Sequence, residues 1–209
     1  MTNIEEVTAD VLRHSSFGIN SSFVIRHSSF RRAFTLIELV LVVGIITVLG
    51  ALVLSTVGYA RKKGARARAE TEIAAISAAC ENYKADNGVY PANSDTNALN
   101  AQTSVDPTGY QAASLHLYNA LFGATAGSRT PNTGARSYFV FKPNMLFPAD
   151  QTQTVQYIQD PFGNSYGYST IDNPIANPSP TPGYNPTFDL WSSAGGTTAN
   201  DVSKWIKNW

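Results

Sequence analysis

The longest feature in the hydrophobic pattern is an apolar run from Leu39 to Ala60 that contains no charged side chain. As a helix it would extend about 33 Å at roughly 1.5 Å per residue, which is enough to cross a bilayer. The run exceeds the apolar core of a secretory signal peptide, and no small-residue cleavage site closes it. It therefore predicts a membrane-spanning helix. Basic residues stand on both sides of it, so the charge pattern leaves the orientation open.

A second helical pattern follows the apolar run. Ile73, Ile76, Cys80 and Tyr83 recur at spacings of three and four, which predicts one apolar stripe along a helix. No proline interrupts residues 34–87, and glycine follows at 88. We therefore predict one long helix, with a membrane-spanning first half and an amphipathic second half that packs on a globular domain.

The rest of the chain consists of short apolar or aromatic pieces between turn residues, which is typical of a small antiparallel sheet. The predicted fold class is α+β, a long N-terminal helix packed on that sheet. The predicted pieces are a short helix at 115–123, strands at 137–143, within 154–164, at 165–171 and at 188–193, and a proline-rich loop at 173–186.

One acidic residue, Glu38, stands just inside the apolar segment. A carboxylate in a bilayer costs several kcal/mol, so an ionisable residue there is expected to be functional and to have a partner. The alternative is a solvated Glu38 at the membrane surface. An anchor that only holds a domain at the membrane would gain nothing from this carboxylate.

The sequence RAFTLIE at 32–38, followed by an apolar helix, resembles the N-terminal signal of type IV prepilins and pseudopilins. The resemblance implies that prepilin peptidase cuts between Ala33 and Phe34, that Phe34 becomes N-methylated, and that Glu38 is the carboxylate needed for assembly. The family has glycine before the cut, whereas this chain has Ala33. The α-amino group of Phe34 stays basic after methylation, so it can neutralise the Glu38 of a neighbouring subunit as helices pack together.

Three further segments resemble the major pseudopilin of type II secretion: NGVYP at 87–91, DPFGNSYGYS at 160–169 and FDLWSSAGG at 188–196. The resemblance implies a pilin-like fold and a subunit that polymerises with itself into a periplasmic filament and helps to export folded proteins. Its partners would be prepilin peptidase, the inner-membrane assembly platform and minor pseudopilins. The chain would cross the bacterial inner membrane once, with its C-terminal domain in the periplasm.

The predicted organisation has four parts. They are a removable leader at 1–33, an assembly helix half at 34–60, an amphipathic helix half at 61–87 and a globular domain at 88–209. The leader contains RHSSF twice and carries His14 and His27, which we assign to no metal site because the segment is removable.

The same family binds calcium in the loop after the last strand. Carried onto this chain, the ligands would be Leu190, Ser193 and Asp201, with Asp201 the only carboxylate in that loop. Calcium prefers several oxygen ligands, so such a site would be weak. The alternative is a loop that threonine, asparagine and backbone contacts close without a metal.

The composition excludes several other classes of function. Fifteen basic residues balance 15 acidic ones, which gives no general attraction to nucleic acid. No catalytic signature is present, Cys80 lies on the apolar stripe, and His116 stands alone between leucines. We therefore predict no enzymatic activity.

Two alternatives to a pseudopilin remain at the level of sequence. The first is a type IV pilin subunit for adhesion, motility or DNA uptake, against which the absence of paired C-terminal cysteines argues. The second is a membrane-anchored binding domain that does not polymerise. Such a domain would need neither a processed Phe34 nor Glu38.

Overall fold

The computed structural model describes residues 34–209, so the predicted leader and Ala33 lie outside the described residues. It begins with one long helix, α1, Leu36–Asn87, of 52 residues. The helix ends where Gly88 adopts φ +77° and its N–H donates to the carbonyl of Lys84 at 2.7 Å. A left-handed residue at this position satisfies a terminal carbonyl and stops the helix. The predicted long helix is confirmed.

The described residues divide into two compact units, one that ends at Leu49 and a second that covers Gly50–Trp209. In the first unit, the described part of α1 carries large apolar side chains that are all exposed. The helix is long and apolar enough to cross a membrane by length and composition. Exposed apolar surface of this extent is compatible with a single membrane anchor.

The second unit has its core on the predicted stripe of α1. Ile73, Ile76 and Cys80 are buried there, and Tyr83 packs against the same core. The helix α3, Gln111–Phe122, contributes buried leucines to this core. It overlaps the helix predicted at 115–123 but begins four residues earlier, after a 3₁₀ turn, and ends one residue earlier. The shorter helix α2 covers Ser94–Ala98.

Within residues 34–209, five short strands form two antiparallel sheets. The first sheet pairs β1, Leu146–Phe147, with β2, Tyr157–Ile158. The second has the order β3, Gly167–Ser169, then β4, Asp189–Ser192, then β5, Ile206–Lys207. Three predicted strand regions, those around 157, 168 and 190, are confirmed, and the loop at 173–186 contains neither helix nor strand.

The strand predicted at 137–143 is wrong. The N–H groups of Tyr138 and Phe139 both donate to the carbonyl of Leu121, near the end of α3, instead of to a neighbouring strand. The aromatic rings of this segment each pack against the core, and the Tyr138 ring lies edge-on to Tyr83. Aromatic enrichment here therefore reflects burial and not a strand ladder.

Candidate functional site

The start of α1 carries a reciprocal pair of contacts between Thr35 and Glu38. The Glu38 Oε2 atom accepts hydrogen bonds from the Thr35 N–H at 2.9 Å and from its hydroxyl at 2.8 Å. The Glu38 N–H in turn donates to Thr35 Oγ1 at 3.3 Å. This is a capping box, in which a side chain three residues into the helix closes its first turn. Sequence reasoning identified Glu38 but missed the contribution of Thr35.

The capping contacts leave part of the carboxylate free. Both bonds end on Glu38 Oε2, and within residues 34–209 no recorded hydrogen bond reaches Oε1. A carboxylate can accept about four hydrogen bonds through its two oxygens. Glu38 can therefore cap its own helix and still accept a bond from a cationic group on another molecule.

Phe34 stands before the first turn of α1. Its side chain is 79% exposed, and the helix begins only at Leu36. A new amino terminus at this residue would therefore lie next to the capped turn. Ala33, the other residue of the predicted cleavage site, falls outside the part of the chain that the structure describes.

Segments 160–169 and 188–196, which lie apart in the sequence, meet around Asp160. This buried carboxylate accepts from the N–H groups of Phe162 and Asn164 through Oδ1, at 2.9 and 2.8 Å. Its Oδ2 accepts from the hydroxyl of Ser192 in β4 at 2.5 Å. Burial raises the pKa of Asp160, and the three hydrogen bonds oppose that rise. Asp160 thus closes a turn and also links segments 160–169 and 188–196.

The predicted calcium ligands already have protein partners. The Leu190 carbonyl accepts from the N–H of Asn208 at 3.1 Å, which is a sheet contact, and the Ser193 carbonyl accepts from Gly196 at 2.9 Å. The Asp201 carboxylate accepts from the ammonium of Lys204 at 2.9 Å and from the hydroxyl of Thr198 at 2.7 Å.

These contacts bear on whether calcium fits. The Lys204 and Thr198 hydrogen bonds lower the pKa of Asp201 to about 2. A lysine ammonium thus already compensates the only loop carboxylate, whereas Ca²⁺ requires six to eight oxygen ligands. No cluster of three or more His, Cys, Asp or Glu side chains suited to a metal occurs among residues 34–209. The donor set fits calcium poorly, and calcium binding stays a prediction.

The lone cysteine and the lone histidine of residues 34–209 both lie in the packed unit. Cys80 is fully buried, and burial raises the pKa of its thiol. His116 is half-buried on α3, and burial lowers the pKa of its imidazole. A buried neutral thiol and a half-buried imidazole are typical of packing residues.

Comparison with protein-family models, curated proteins and solved structures finds no match to this chain.

Proposed function

We propose that this chain is a structural subunit of a type II secretion pseudopilus, cut by prepilin peptidase and assembled into a periplasmic filament that helps to export folded proteins. The observation that carries the proposal is the position of Glu38. Hydrogen bonds from Thr35 hold its carboxylate at the first turn of a 52-residue helix, and the first half of that helix is apolar and exposed. The fold of a long helix with a small antiparallel sheet is compatible with a pilin-like layout.

The positive charge at Phe34 depends on processing. Cleavage before Phe34 would create an α-amino group with an unperturbed pKa of roughly 7.7–8.0, so it would be largely positive at neutral pH. Glu38 retains the free oxygen Oε1, which that group on a neighbouring subunit can reach when helices pack side by side. The pairing removes an uncompensated charge from the apolar environment and therefore fixes the register of an added subunit.

The exposed apolar first half of α1 is a second feature that supports the proposal. Apolar side chains from Leu36 to Leu54 lie exposed along its first half. A bilayer covers them in the single subunit, and neighbouring copies of the same helix cover them in a filament. Since lipid and helix surfaces are similarly apolar, the choice between them is decided by packing and by polar contacts such as the Glu38 pair.

The partners follow from this proposal. Prepilin peptidase would act between Ala33 and Phe34, the inner-membrane assembly platform would extract the subunit, and minor pseudopilins would begin the filament. The C-terminal unit would face the periplasm. The alternatives are a type IV pilin subunit and an anchored binding domain that does not polymerise.

The test is co-expression of the full chain with prepilin peptidase, followed by intact mass measurement and collection of sheared filaments. We expect a mature chain that begins at methylated Phe34 and forms filaments. Glu38→Ala should be cut normally but should give at least about ten-fold fewer filaments, since an unpaired terminal charge would remain in the apolar environment.

A matched control removes another carboxylate from the same helix. Glu70 is more than half exposed and pairs with Arg66 at 3.3 Å on the surface of the second unit. We expect Glu70→Ala to assemble like the wild type. A chain that keeps its leader, or Glu38→Ala filaments at wild-type yield, would favour the anchored binding domain.

A further inference from the structure

A groove of about 850 Å³ lies beside the part of α1 that directly follows the apolar run. Lys62, Lys63 and Arg66 of α1 line it, together with the loop at 194–197 and Lys204. The Arg66 guanidinium donates to the Lys204 carbonyl at 2.8 Å, which joins the helix to the C-terminal segment. All of these residues belong to the second unit, so the groove is a feature of that unit alone.

The groove is strongly cationic. It is lined by four basic side chains and one carboxylate, and that carboxylate, Asp201, is compensated by Lys204 at 2.9 Å. Arg66 has a partner in Glu70. Lys62 and Lys63 form neither an ion pair nor a side-chain hydrogen bond within residues 34–209. Two lysines without an ion-pair partner among the described residues therefore line a concave surface, which attracts anions.

The position of the groove along α1 indicates which anion fits. The charge-free run ends at Ala60, so Lys62 and Lys63 follow it by roughly 3–5 Å along the helix. Tyr59, which is 72% exposed, also lines the groove, and tyrosine is typical of the bilayer surface. A ligand here would meet basic groups at headgroup depth and apolar surface next to them.

We propose that this groove binds the phosphodiester headgroup of an anionic phospholipid, held by Lys62 and Lys63. The inference goes beyond the proposed filament function. It requires only that the apolar half of α1 lies in a bilayer, and it applies to the single subunit before any assembly. An acidic segment of a second copy is the competing occupant, and the test separates the two.

The test measures lipid binding to the full, unassembled chain in zwitterionic detergent by native mass spectrometry. Phosphatidylglycerol is the probe, phosphatidylcholine is the neutral lipid, and inorganic phosphate is the free anion. We expect retention of phosphatidylglycerol over phosphatidylcholine and no competition by inorganic phosphate. The same lipid should raise the midpoint of thermal unfolding, because it binds only the folded chain.

The matched variants are Lys62→Gln, Lys63→Gln and Arg61→Gln. All three remove one positive charge at the same end of the apolar run, but Arg61 does not line the groove. We expect each lysine variant to bind phosphatidylglycerol about five-fold more weakly, because that is the affinity that one basic contact with an anionic surface contributes. Arg61→Gln should weaken the binding by less than about two-fold.

Three outcomes would overturn the proposal. An equal loss for Arg61→Gln would mean general attraction to the membrane surface without a site. Competition by inorganic phosphate would assign the groove to a free anion. Unchanged lipid binding in both lysine variants would show that the groove holds no lipid headgroup, and would leave an acidic segment of a second copy as its occupant. Lipid binding is measured on the unassembled chain, so its result can be interpreted even if the chain forms no filament.

Discussion

The carboxylate of Asp160 and the hydroxyl of Ser192, 32 residues apart in the chain, share a buried hydrogen bond of 2.5 Å. The same carboxylate closes the turn at 160–164, while Ser192 ends β4 and its hydroxyl also accepts from the N–H of Ala194 at 3.1 Å. One acidic side chain thus links segments 160–169 and 188–196.

Removing the charge of Asp160 should destabilise the C-terminal unit. In Asp160→Asn, the new amide nitrogen would face either the Ser192 hydroxyl or the turn N–H groups, so one buried donor would lose its acceptor. We expect the free energy of unfolding to fall by about 1–3 kcal/mol. Denaturant unfolding of the full chain in detergent, followed by near-ultraviolet circular dichroism, measures this change.

Asp150→Asn provides the matched control for that variant. Asp150 is exposed and accepts from the N–H of Thr152 at 2.9 Å in a similar turn. Its replacement should change the free energy of unfolding by less than about 0.5 kcal/mol. Equal effects of the two variants would show that burial and the Ser192 contact contribute nothing.

The hydrogen bond between Tyr166 and Glu72 ties the region of the sheet to α1. The Tyr166 hydroxyl donates to Glu72 Oε2 at 2.8 Å, and Glu72 Oε1 accepts from Arg68 at 2.6 Å. Tyr166→Phe would keep the ring but leave that carboxylate with one partner fewer. We expect a loss of about 1.5–3 kcal/mol in the free energy of unfolding, measured in the same assay.

The control for Tyr166 is Tyr184→Phe, a removal of a hydroxyl from a tyrosine that is 41% exposed. The ring of Tyr184 stacks on Trp209, and phenylalanine would preserve that contact. This variant should unfold like the wild type. If Tyr166→Phe were equally neutral, the link between α1 and the sheet region would depend on packing alone.

Gly167 leaves room for the indole of Trp191, its partner across β3 and β4. A methyl group added at Gly167 would overlap the indole ring. We expect Gly167→Ala to destabilise the unit by about 1–3 kcal/mol and to alter the near-ultraviolet spectrum of the indole. Gly109→Ala is the control, since a methyl group there meets no atom within 4 Å. Comparable losses from both substitutions would contradict the steric explanation.

The acid dependence of stability should include a contribution from Asp201. Its folded pKa of about 2 lies below its ordinary value of 3.8, chiefly because Lys204 donates to it. A lowered carboxyl pKa stabilises the folded chain above the unfolded value, and that contribution is lost as the pH falls through the folded value. The thermal midpoint of the wild type minus that of Asp201→Asn should therefore be constant above about pH 5 and shrink between pH 4 and pH 2.

Lys204→Gln tests the cause of this behaviour. It removes the main partner of Asp201, so the pH-dependent part of the difference should become smaller in that background. A difference that grows on acidification would contradict the sign of the pKa shift. The comparison uses the full chain in one detergent, so both variants share the same membrane-mimetic environment.

Local patterns in the sequence were enough to locate α1 and its apolar stripe. An unbroken charge-free run, an absence of proline and a spacing of three and four act within one helix, so neighbouring residues decide them. The burial of Cys80 was predictable for the same reason. The Glu38 cap also depends on residues only three apart, although Thr35 was overlooked.

Long-range pairing explains what the sequence did not reveal. The aromatic segment at 137–143 has the composition of a strand but finds its acceptor at Leu121, and the two residues of β5 become a strand only opposite β4. The sequence by itself determined a long, half-apolar helix with a carboxylate at its start, because helix periodicity is local. The tertiary structure decided the Asp160–Ser192 link and the basic groove, because each joins residues that only folding brings together.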